Sequence, residues 1–389
     1  MFKTYTVIFT ALLMFFGQGL NMAQAKVSKE ELTKEFAKTY AQIAYLNYQD
    51  SSNTAAQMEE KIEDFLSDPT PDALSAAKEA WKASRIPYGQ TEIFRFADGP
   101  IDGKNDKGED GPEGRINSWP LNEAYIDYVK DNPKAGIVQD LSISINEETL
   151  AKKNQEEDEK DVTTGYHAIE FLLWGQDLSL NGPGNRHVSD YVKGNPINER
   201  RHEYLEQTTE LLVKDLSSMV EAWRPEADNY RKKFVALPAN DILTKSLTSL
   251  ASLSGSELAS ERIGDALKSG DQEDEQSCFS DNTHIDYRMN AKGVENVYYG
   301  RYGSYQGVGL DQIAKLVDPL LAKKIDEQLT KTRSIVEVIK SPIDQILASP
   351  AGSLSKLQLE SLVESLQAEA DLFRELAKKV GINIALKSS

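Results

Sequence analysis

A histidine and a glutamate lie three residues apart in a very apolar stretch of this chain, and both side chains can bind a metal ion. The stretch runs from Gly165 to Gly175 with the sequence GYHAIEFLLWG. If it is a helix, this spacing places His167 and Glu170 on one face. Glu170 is the only charged residue in the stretch, so the helix is expected to be buried. A buried carboxylate needs a partner or loses its charge. A metal ion, a basic side chain or a purely structural bond to the histidine would each supply that partner.

An acidic loop in the second half of the chain contains a further histidine. It runs from Asp271 to Asp286, and its composition is typical of a disordered linker. Cys278, Phe279 and His284 suit a buried site better than a solvated one. We therefore expect this loop to fold inward and to bring His284 and Asp286 close to the His-x-x-Glu pair.

Iron is the metal that these residue types favour. Nitrogen and carboxylate ligands without thiolate suit iron, because carboxylate-rich sites select hard cations. The predicted metal ligands are His167, Glu170, His284 and Asp286. A protein with such a site would bind iron or pass it on without turnover.

Several charged residues outside these motifs are candidates to surround the metal or to bind its ligand: Glu92, Arg85, Arg95, Arg115, Glu257 and Arg262. Arginines bind carboxylates in bidentate pairs. A site crowded by arginines therefore favours a carboxylate-bearing partner, such as a small metal chelate or a peptide end, over a bare cation.

A zinc-dependent peptidase is the alternative function. It requires three zinc ligands, an open position for water and a general base. His167 and Glu170 supply two ligands, His284 could be a distant third, and Glu92 or Glu257 could be the base. The chain has no His-Glu-x-x-His helix. The residues thus leave open whether the protein is an enzyme.

The N-terminus predicts export. Residues 1–25 contain one charge, Lys3, then an apolar run and the small residues Ala23 and Ala25, as in a cleaved signal peptide. We expect a soluble mature chain in the periplasm, with association with the outer membrane left open and no transmembrane segment. The chain carries 62 acidic and 44 basic residues, a net charge of −18. Such a surface disfavours nucleic acid and favours cations.

Helical patterns dominate the rest of the chain. Ser28, Thr70 and Asn195 are each predicted to cap a helix. The helix after Thr70 is expected to reach about residue 85, and the helix after Asn195 about residue 223. Further helices are predicted at 239–269, 308–325, 326–340 and 354–380, and one short strand at 136–145. The predicted fold is all-α, with two tandem helical bundles at 26–195 and 196–389. The first would carry His167 and Glu170, the second the acidic loop, with the site at their junction.

Four motifs resemble the imelysin-like family, also classed as peptidase family M75. Gly165, His167 and Glu170 fit its Gly-x-His-x-x-Glu signature. Segments 81–92 (WKASRIPYGQTE) and 111–127 (GPEGRINSWPLNEAYID) add support, and the loop at 271–286 points to the branch of iron-regulated proteins. The resemblance covers nearly the whole mature chain. It implies an envelope protein of two helical bundles with the signature between them, and envelope iron-transport components as partners.

Overall fold

The computed structural model describes residues 28–104, 108–340 and 342–387, and within these ranges the fold is all-α. The predicted signal peptide at 1–25 lies outside the described residues. The described part contains no helix with both the length and the apolar character needed to cross a bilayer. Strand structure in these ranges is limited to one antiparallel pair, β1 (Arg301–Tyr302) and β2 (Tyr305–Gln306).

Fifteen α-helices form the described part of the chain. The first eight are α1 (Lys29–Ser67), α2 (Pro71–Thr91), α3 (Glu113–Ile116), α4 (Glu123–Ile126), α5 (Glu147–Lys153), α6 (Gly165–Trp174), α7 (Pro196–Trp223) and α8 (Tyr230–Val235). The others are α9 (Ala239–Ser252), α10 (Asp265–Ser269), α11 (Thr283–Tyr299), α12 (Leu310–Val317), α13 (Pro319–Val336), α14 (Ile343–Leu347) and α15 (Leu354–Val380).

The predicted caps begin their helices in the structure. The side chains of Ser28, Thr70 and Asn195 each accept a hydrogen bond from a backbone N–H in the first turn of α1, α2 and α7. Each cap satisfies a donor that has no partner within the helix. Helix α7 ends at Trp223 as predicted, whereas α2 continues to Thr91 with Pro87 inside it.

The helix predicted at 239–269 is continuous but changes its winding. Between α9 and α10, residues Leu253–Gly264 form a π-helix. A π-helix has more residues per turn than an α-helix, and such segments occur frequently at functional sites. The wider turn brings Glu257 and Arg262, five residues apart, into hydrogen-bond contact.

Three sequence-based predictions of elements are wrong. The predicted boundary between helices at 325 and 326 lies instead at Asp318, which caps the helix that Pro319 begins. Segment 136–145 forms turns rather than a strand. Helix α11 was not predicted, because its first residues continue the acidic loop.

The helices pack in two groups around two hydrophobic clusters, of which the larger reaches both groups. Helices α1, α2, α6 and α7 contact one another, and α9, the π-helix, α13 and α15 form a second group. Helix α11 joins the groups, since it packs on both α2 and α13. The domain boundary between 195 and 196 stays a prediction, although α7, which follows it, packs mainly on α1 and α6.

Candidate functional site

Gly165 fixes how the signature helix α6 begins. Its φ is +84°, in the region that favours glycine. A Cβ atom here would lie 2.4 Å from the carbonyl oxygen of Ile116 and 2.5 Å from that of Arg115. The close approach of these two segments therefore requires glycine. The indole of Trp81 donates to the Tyr166 carbonyl oxygen at 2.9 Å and holds the same turn against α2.

His167 and Glu170 are buried together, as the sequence predicts. Their exposed fractions are 1 % and 0 %. Nδ1 of His167 lies 2.8 Å from Oε2 of Glu170. The other carboxylate oxygen, Oε1, accepts from the backbone N–H of Ser280 at 3.0 Å and from its hydroxyl at 2.6 Å. Nε2 of His167 is buried and has no hydrogen-bond partner among the described residues.

Burial sets the protonation of this pair. It lowers the pKa of His167 well below its usual value, and the positive charges of Arg85 and Arg262 act in the same direction. Burial also raises the pKa of Glu170 to about 8, against the hydrogen bonds from Ser280. At neutral pH the pair is therefore uncharged. In that state the protonated Glu170 carboxyl would donate to Nδ1 of His167 and leave the imidazole proton on Nε2.

Asp286 lies near the pair but is bonded to an arginine. The Arg85 guanidinium donates to Oδ1 of Asp286 from Nε at 3.0 Å, and both side chains are buried. Arg85 also donates to Oδ1 of Asn117 at 2.6 Å. The charges of Arg85 and Asp286 act in opposite directions on the pKa of Glu170. Asp286 thus acts as the counter-ion of Arg85.

Four further predicted residues form a buried ion-pair network. Arg262 donates to Oε2 of Glu92 at 2.6 Å and to Oε1 of Glu257 at 2.6 Å. Arg95 donates to the same two oxygens at 3.1 and 3.0 Å. Burial alone would raise the pKa of Glu92, but Arg262 and Arg95 outweigh it and hold that pKa below its usual value. Asn117 donates to Oε1 of Glu92 at 3.3 Å and so connects this network to Arg85.

A polar cleft of about 540 Å³ opens beside this network. Arg95 and Arg262 lie in its lining, together with Asn117 and Gln276. Nε of Arg95 is buried and has no hydrogen-bond partner within the described part of the chain. Six acidic residues line the cleft as well: Glu113, Glu159, Glu257, Glu261, Asp265 and Asp274. Because Arg262 also acts on the pKa of His167, the cleft and the His-Glu pair are electrostatically connected.

Two of the predicted site residues lie elsewhere. Arg115 binds Asp215 on α7 through two hydrogen bonds of 3.0 and 2.6 Å, so it is not part of the network. His284 is half-buried and lines a surface pocket with Lys82 and Ile86, a pocket that Ser280 also borders. The acidic loop folds inward as predicted, but it contributes Asp286 and Ser280 to the site while His284 faces another pocket.

The four predicted metal ligands do not form one cluster. In residues 28–104, 108–340 and 342–387, one group of three His, Cys, Asp or Glu ligand atoms lies within 4.8 Å, and it consists of Asp177, Asp281 and Asp344. His167, Glu170, His284 and Asp286 are therefore not arranged as a ready-made coordination shell. Their role as ligands stays a prediction.

Several residues of the site carry no sequence signal. Ser280 bonds to Glu170, and Ser277 donates to Oδ2 of Asp286. Asn290 and Gln276 accept from Arg262 at 2.8 and 3.1 Å. These small polar side chains are common everywhere in proteins. In the sequence, only their position in or near the loop at 271–286 indicates that they belong to the site.

The fold and the site together define an all-α protein with a buried histidine-carboxylate pair, a buried arginine-carboxylate network and a polar cleft beside that network. The chain matches the family model described as Imelysin, of the M75 peptidases, over residues 44–371. It therefore belongs to the imelysin family, as the signature and its flanking motifs predicted.

Known relatives agree with this assignment. Iron-regulated protein A of Synechococcus elongatus is 26 % identical over 332 residues, which cover 83 % of this chain and 80 % of that protein. A crystal structure described as an iron-regulated protein A precursor from Parabacteroides distasonis superposes with a TM-score of 0.68 at 17 % identity, covering 92 % of this chain and 97 % of that one. An imelysin-like protein from Psychrobacter arcticum gives 0.64 at 13 % identity, with 93 % and 99 % covered. At these identities the two structures establish the fold alone.

Proposed function

We propose that this chain binds iron as a carboxylate-bearing chelate at the signature, with His167 as the protein ligand to the metal. In this proposal it is an exported component of bacterial iron uptake. Iron is the metal and a small chelate is the partner, as the sequence predicts. Glu170, expected from the sequence to be a metal ligand, instead orients the imidazole of His167.

The observation that carries the proposal is the buried, unpartnered Nε2 of His167. Metal-binding histidines commonly ligate through one ring nitrogen while the other is bonded to a carboxylate or carbonyl, which fixes the ring. Glu170 occupies that second position at 2.8 Å from Nδ1. A buried nitrogen without a partner is costly unless a ligand satisfies it.

The surrounding charges favour a chelate over a bare ion. Burial, and after it the positive charges of Arg85 and Arg262, lower the pKa of His167, so the site opposes an additional positive charge at the ring although both arginines have carboxylate partners. A chelator that brings its own carboxylates would instead gain charge-assisted hydrogen bonds. The polar cleft offers room for such a ligand, and Nε of Arg95 is a donor there without a hydrogen-bond partner among the described residues, although six acidic residues also line the cleft.

The family's names add indirect support. The Synechococcus relative is called iron-regulated, and we extend an iron-related role from that protein to this chain. The alternative function, a zinc-dependent peptidase, is supported by the classification of the family among the peptidases. It would require a third ligand atom near His167 and Glu170, and no close group of three within the described residues includes either of them.

The test is a titration of the purified chain from residue 26 with ferric citrate, followed by calorimetry. Replacing His167 with Ala should weaken binding at least about tenfold, because the metal loses its protein ligand. His187→Ala is the matched control, since His187 is exposed and outside the site. Circular dichroism of each variant verifies folding. Unchanged binding by His167→Ala would overturn the proposal.

Proton release gives a second readout of the same experiment. Below pH about 8 the pair retains the proton of Glu170. A metal at Nε2 of His167 must therefore displace one proton. Chelate binding should strengthen as the pH rises towards 8 and level off above it. Cleavage of unfolded polypeptide by the wild-type chain, lost with a chelator and restored by zinc, would instead favour the peptidase.

A further inference from the structure

Three carboxylates from separate segments meet away from the signature pair. Asp177 lies three residues after α6, Asp281 lies in the acidic loop, and Asp344 lies in α14. Each offers an oxygen, and these atoms all lie within 4.8 Å of one another. Like charges this close repel one another strongly when they are buried. The arrangement therefore needs protons or a cation to compensate it.

Two of the three carboxylates are buried without a basic partner. Asp177 and Asp344 are each 3 % exposed. In the part of the chain that the structure describes, neither forms an ion pair with a lysine, arginine or histidine. Oδ1 of Asp344 accepts from the Gln345 N–H at 2.7 Å, while Oδ2 is buried without a hydrogen-bond partner.

A fourth carboxylate next to the cluster has an unsatisfied oxygen. Glu275 is 1 % exposed, and its Oε1 has no hydrogen-bond partner among the described residues. The charges that act on Glu275 are, in order, those of Asp344, Asp281 and Asp177. A nearly fully buried carboxylate beside three others is the pattern expected where a cation is coordinated by oxygen.

We propose that Asp177, Asp281 and Asp344, with Glu275 beside them, bind a calcium ion. Calcium takes oxygen ligands at about 2.3–2.6 Å, so two oxygens on one ion lie at most about 5 Å apart. The 4.8 Å limit of this cluster fits that span. Backbone carbonyl groups and water complete the six to eight ligands that calcium takes. The set contains no nitrogen or sulfur, which separates it from the iron proposal.

Burial and mutual repulsion both disfavour the charged forms of these carboxylates. Burial raises the pKa of Asp177 to about 6, and the charge of Asp344 adds to this shift. Burial, followed by the charges of Asp177 and Asp344, raises the pKa of Asp281 to about 7. Lys82 acts in the opposite direction on Asp281 but does not cancel these effects.

The ion would fix the segments that hold the signature. Asp281 directly follows Ser280, whose N–H and hydroxyl both bond to Glu170. Asp177 follows the helix that carries His167 and Glu170. Calcium would therefore tie this loop to the end of α6 and to α14. Its role is to hold Ser280 on Glu170, and through it to orient His167.

The test measures thermal unfolding of the full mature chain after EGTA has removed bound metal. Unfolding without calcium is compared with unfolding at up to about 1 mM calcium, the dissociation constant of the weakest extracellular calcium sites. Calcium should raise the wild-type melting temperature. Asp344→Asn should raise that temperature in the absence of calcium, because it removes repulsion, and should abolish the calcium-induced rise. Asp371→Asn is the control for the acidic surface, since Asp371 is 75 % exposed.

Calorimetry should give at least about tenfold weaker calcium binding for Asp344→Asn, because affinity follows the charge of the ligands. Asp177→Asn is the second variant if the first fails to fold. A wild-type chain unaffected by calcium would overturn the proposal and leave protonated carboxylates as the explanation. An equal calcium response in Asp344→Asn would also overturn it. Ferric citrate titration of His167→Ala is independent of these outcomes, so the two proposals can fail separately.

Discussion

At the scale of single residues, Gly165 contributes as much to the signature as the two side chains with functional groups. Its positive φ turns the chain into α6, and its missing side chain lets the carbonyl groups of Arg115 and Ile116 approach. The first residue of Gly-x-His-x-x-Glu is therefore a packing requirement. His167 and Glu170 depend on it for their position.

Replacing Gly165 with Ala should destabilise the fold by about 3 kcal/mol or more, because an overlap with two backbone carbonyl groups cannot relax easily. Gly270→Ala is the matched control. Gly270 has φ +70°, but a Cβ atom there meets nothing within 4 Å. That variant should lose only about 1–2 kcal/mol, the usual penalty of the left-handed region. Urea unfolding measures both, and equal losses would remove the close approach as the reason for Gly165.

The sequence predicts local pairs at this scale better than distant ones. His167 and Glu170 are three residues apart on one helix, so their contact follows from helical geometry alone. Their contact with Ser280 crosses 110 residues and depends on how the acidic loop folds. The loop's aromatic and cysteine residues indicated burial. They did not indicate that His284 would face another pocket.

At the scale of helices, Glu369 shows how α15 packs on the π-helix. Glu369 is 2 % exposed, and Ser254 at the start of the π-helix donates to its Oε2 at 3.2 Å. Burial raises the pKa of Glu369 to about 8, more than the hydrogen bonds from Thr332 and Ser254 lower it. The interface therefore favours the protonated acid.

This shift predicts a pH dependence of stability. Between pH 4.5 and about 8 the folded state retains a proton that the unfolded state releases. Its contribution to stability is complete below pH 4.5 and is lost as the pH rises to 8, at about 1.4 kcal/mol per pH unit. Glu369→Gln should remove this part of the slope. Melting temperatures of both proteins from pH 5 to 8.5 test this, and parallel curves would contradict it.

Helix ends were predictable where a capping residue or proline marks them. Ser28, Thr70 and Asn195 each begin a helix as the sequence predicted. The Asp318 cap and Pro319 were equally visible, but the continuous apolar pattern around them obscured the break. The π-helix could not be predicted, because its residues also fit an α-helical pattern and its winding depends on tertiary packing.

At the scale of the whole molecule, two hydrophobic clusters form the interior, and the larger one joins the two groups of helices. The larger hydrophobic cluster extends from Phe36 on α1 to Val380 on α15. Glu92, which directly follows α2, binds Arg262 of the π-helix and adds a polar connection between the groups. These observations predict that the chain unfolds in one cooperative transition.

Glu92→Gln should lower stability by about 3–5 kcal/mol, because Arg95 and Arg262 would lose the charge of a buried partner. Calorimetry should still record a single transition, shifted to lower temperature. The control is Asp228→Asn, which breaks an exposed pair with Lys232 and should cause no measurable change. Two separate transitions would favour independent bundles, and a shift no larger than that of the control would contradict the importance of the buried network.

The π-helix at Leu253–Gly264 has a consequence for comparing relatives by alignment. Glu257 and Arg262 meet because a π turn brings residues five apart onto nearly the same face. A homologue with one residue fewer between these positions would wind as an α-helix and place the two residues four apart, again on one face. A one-residue gap between the two positions would therefore be compatible with the ion pair. A homologue without the gap that winds as an α-helix would turn the two residues about 140° apart and lose the pair even where both letters are retained.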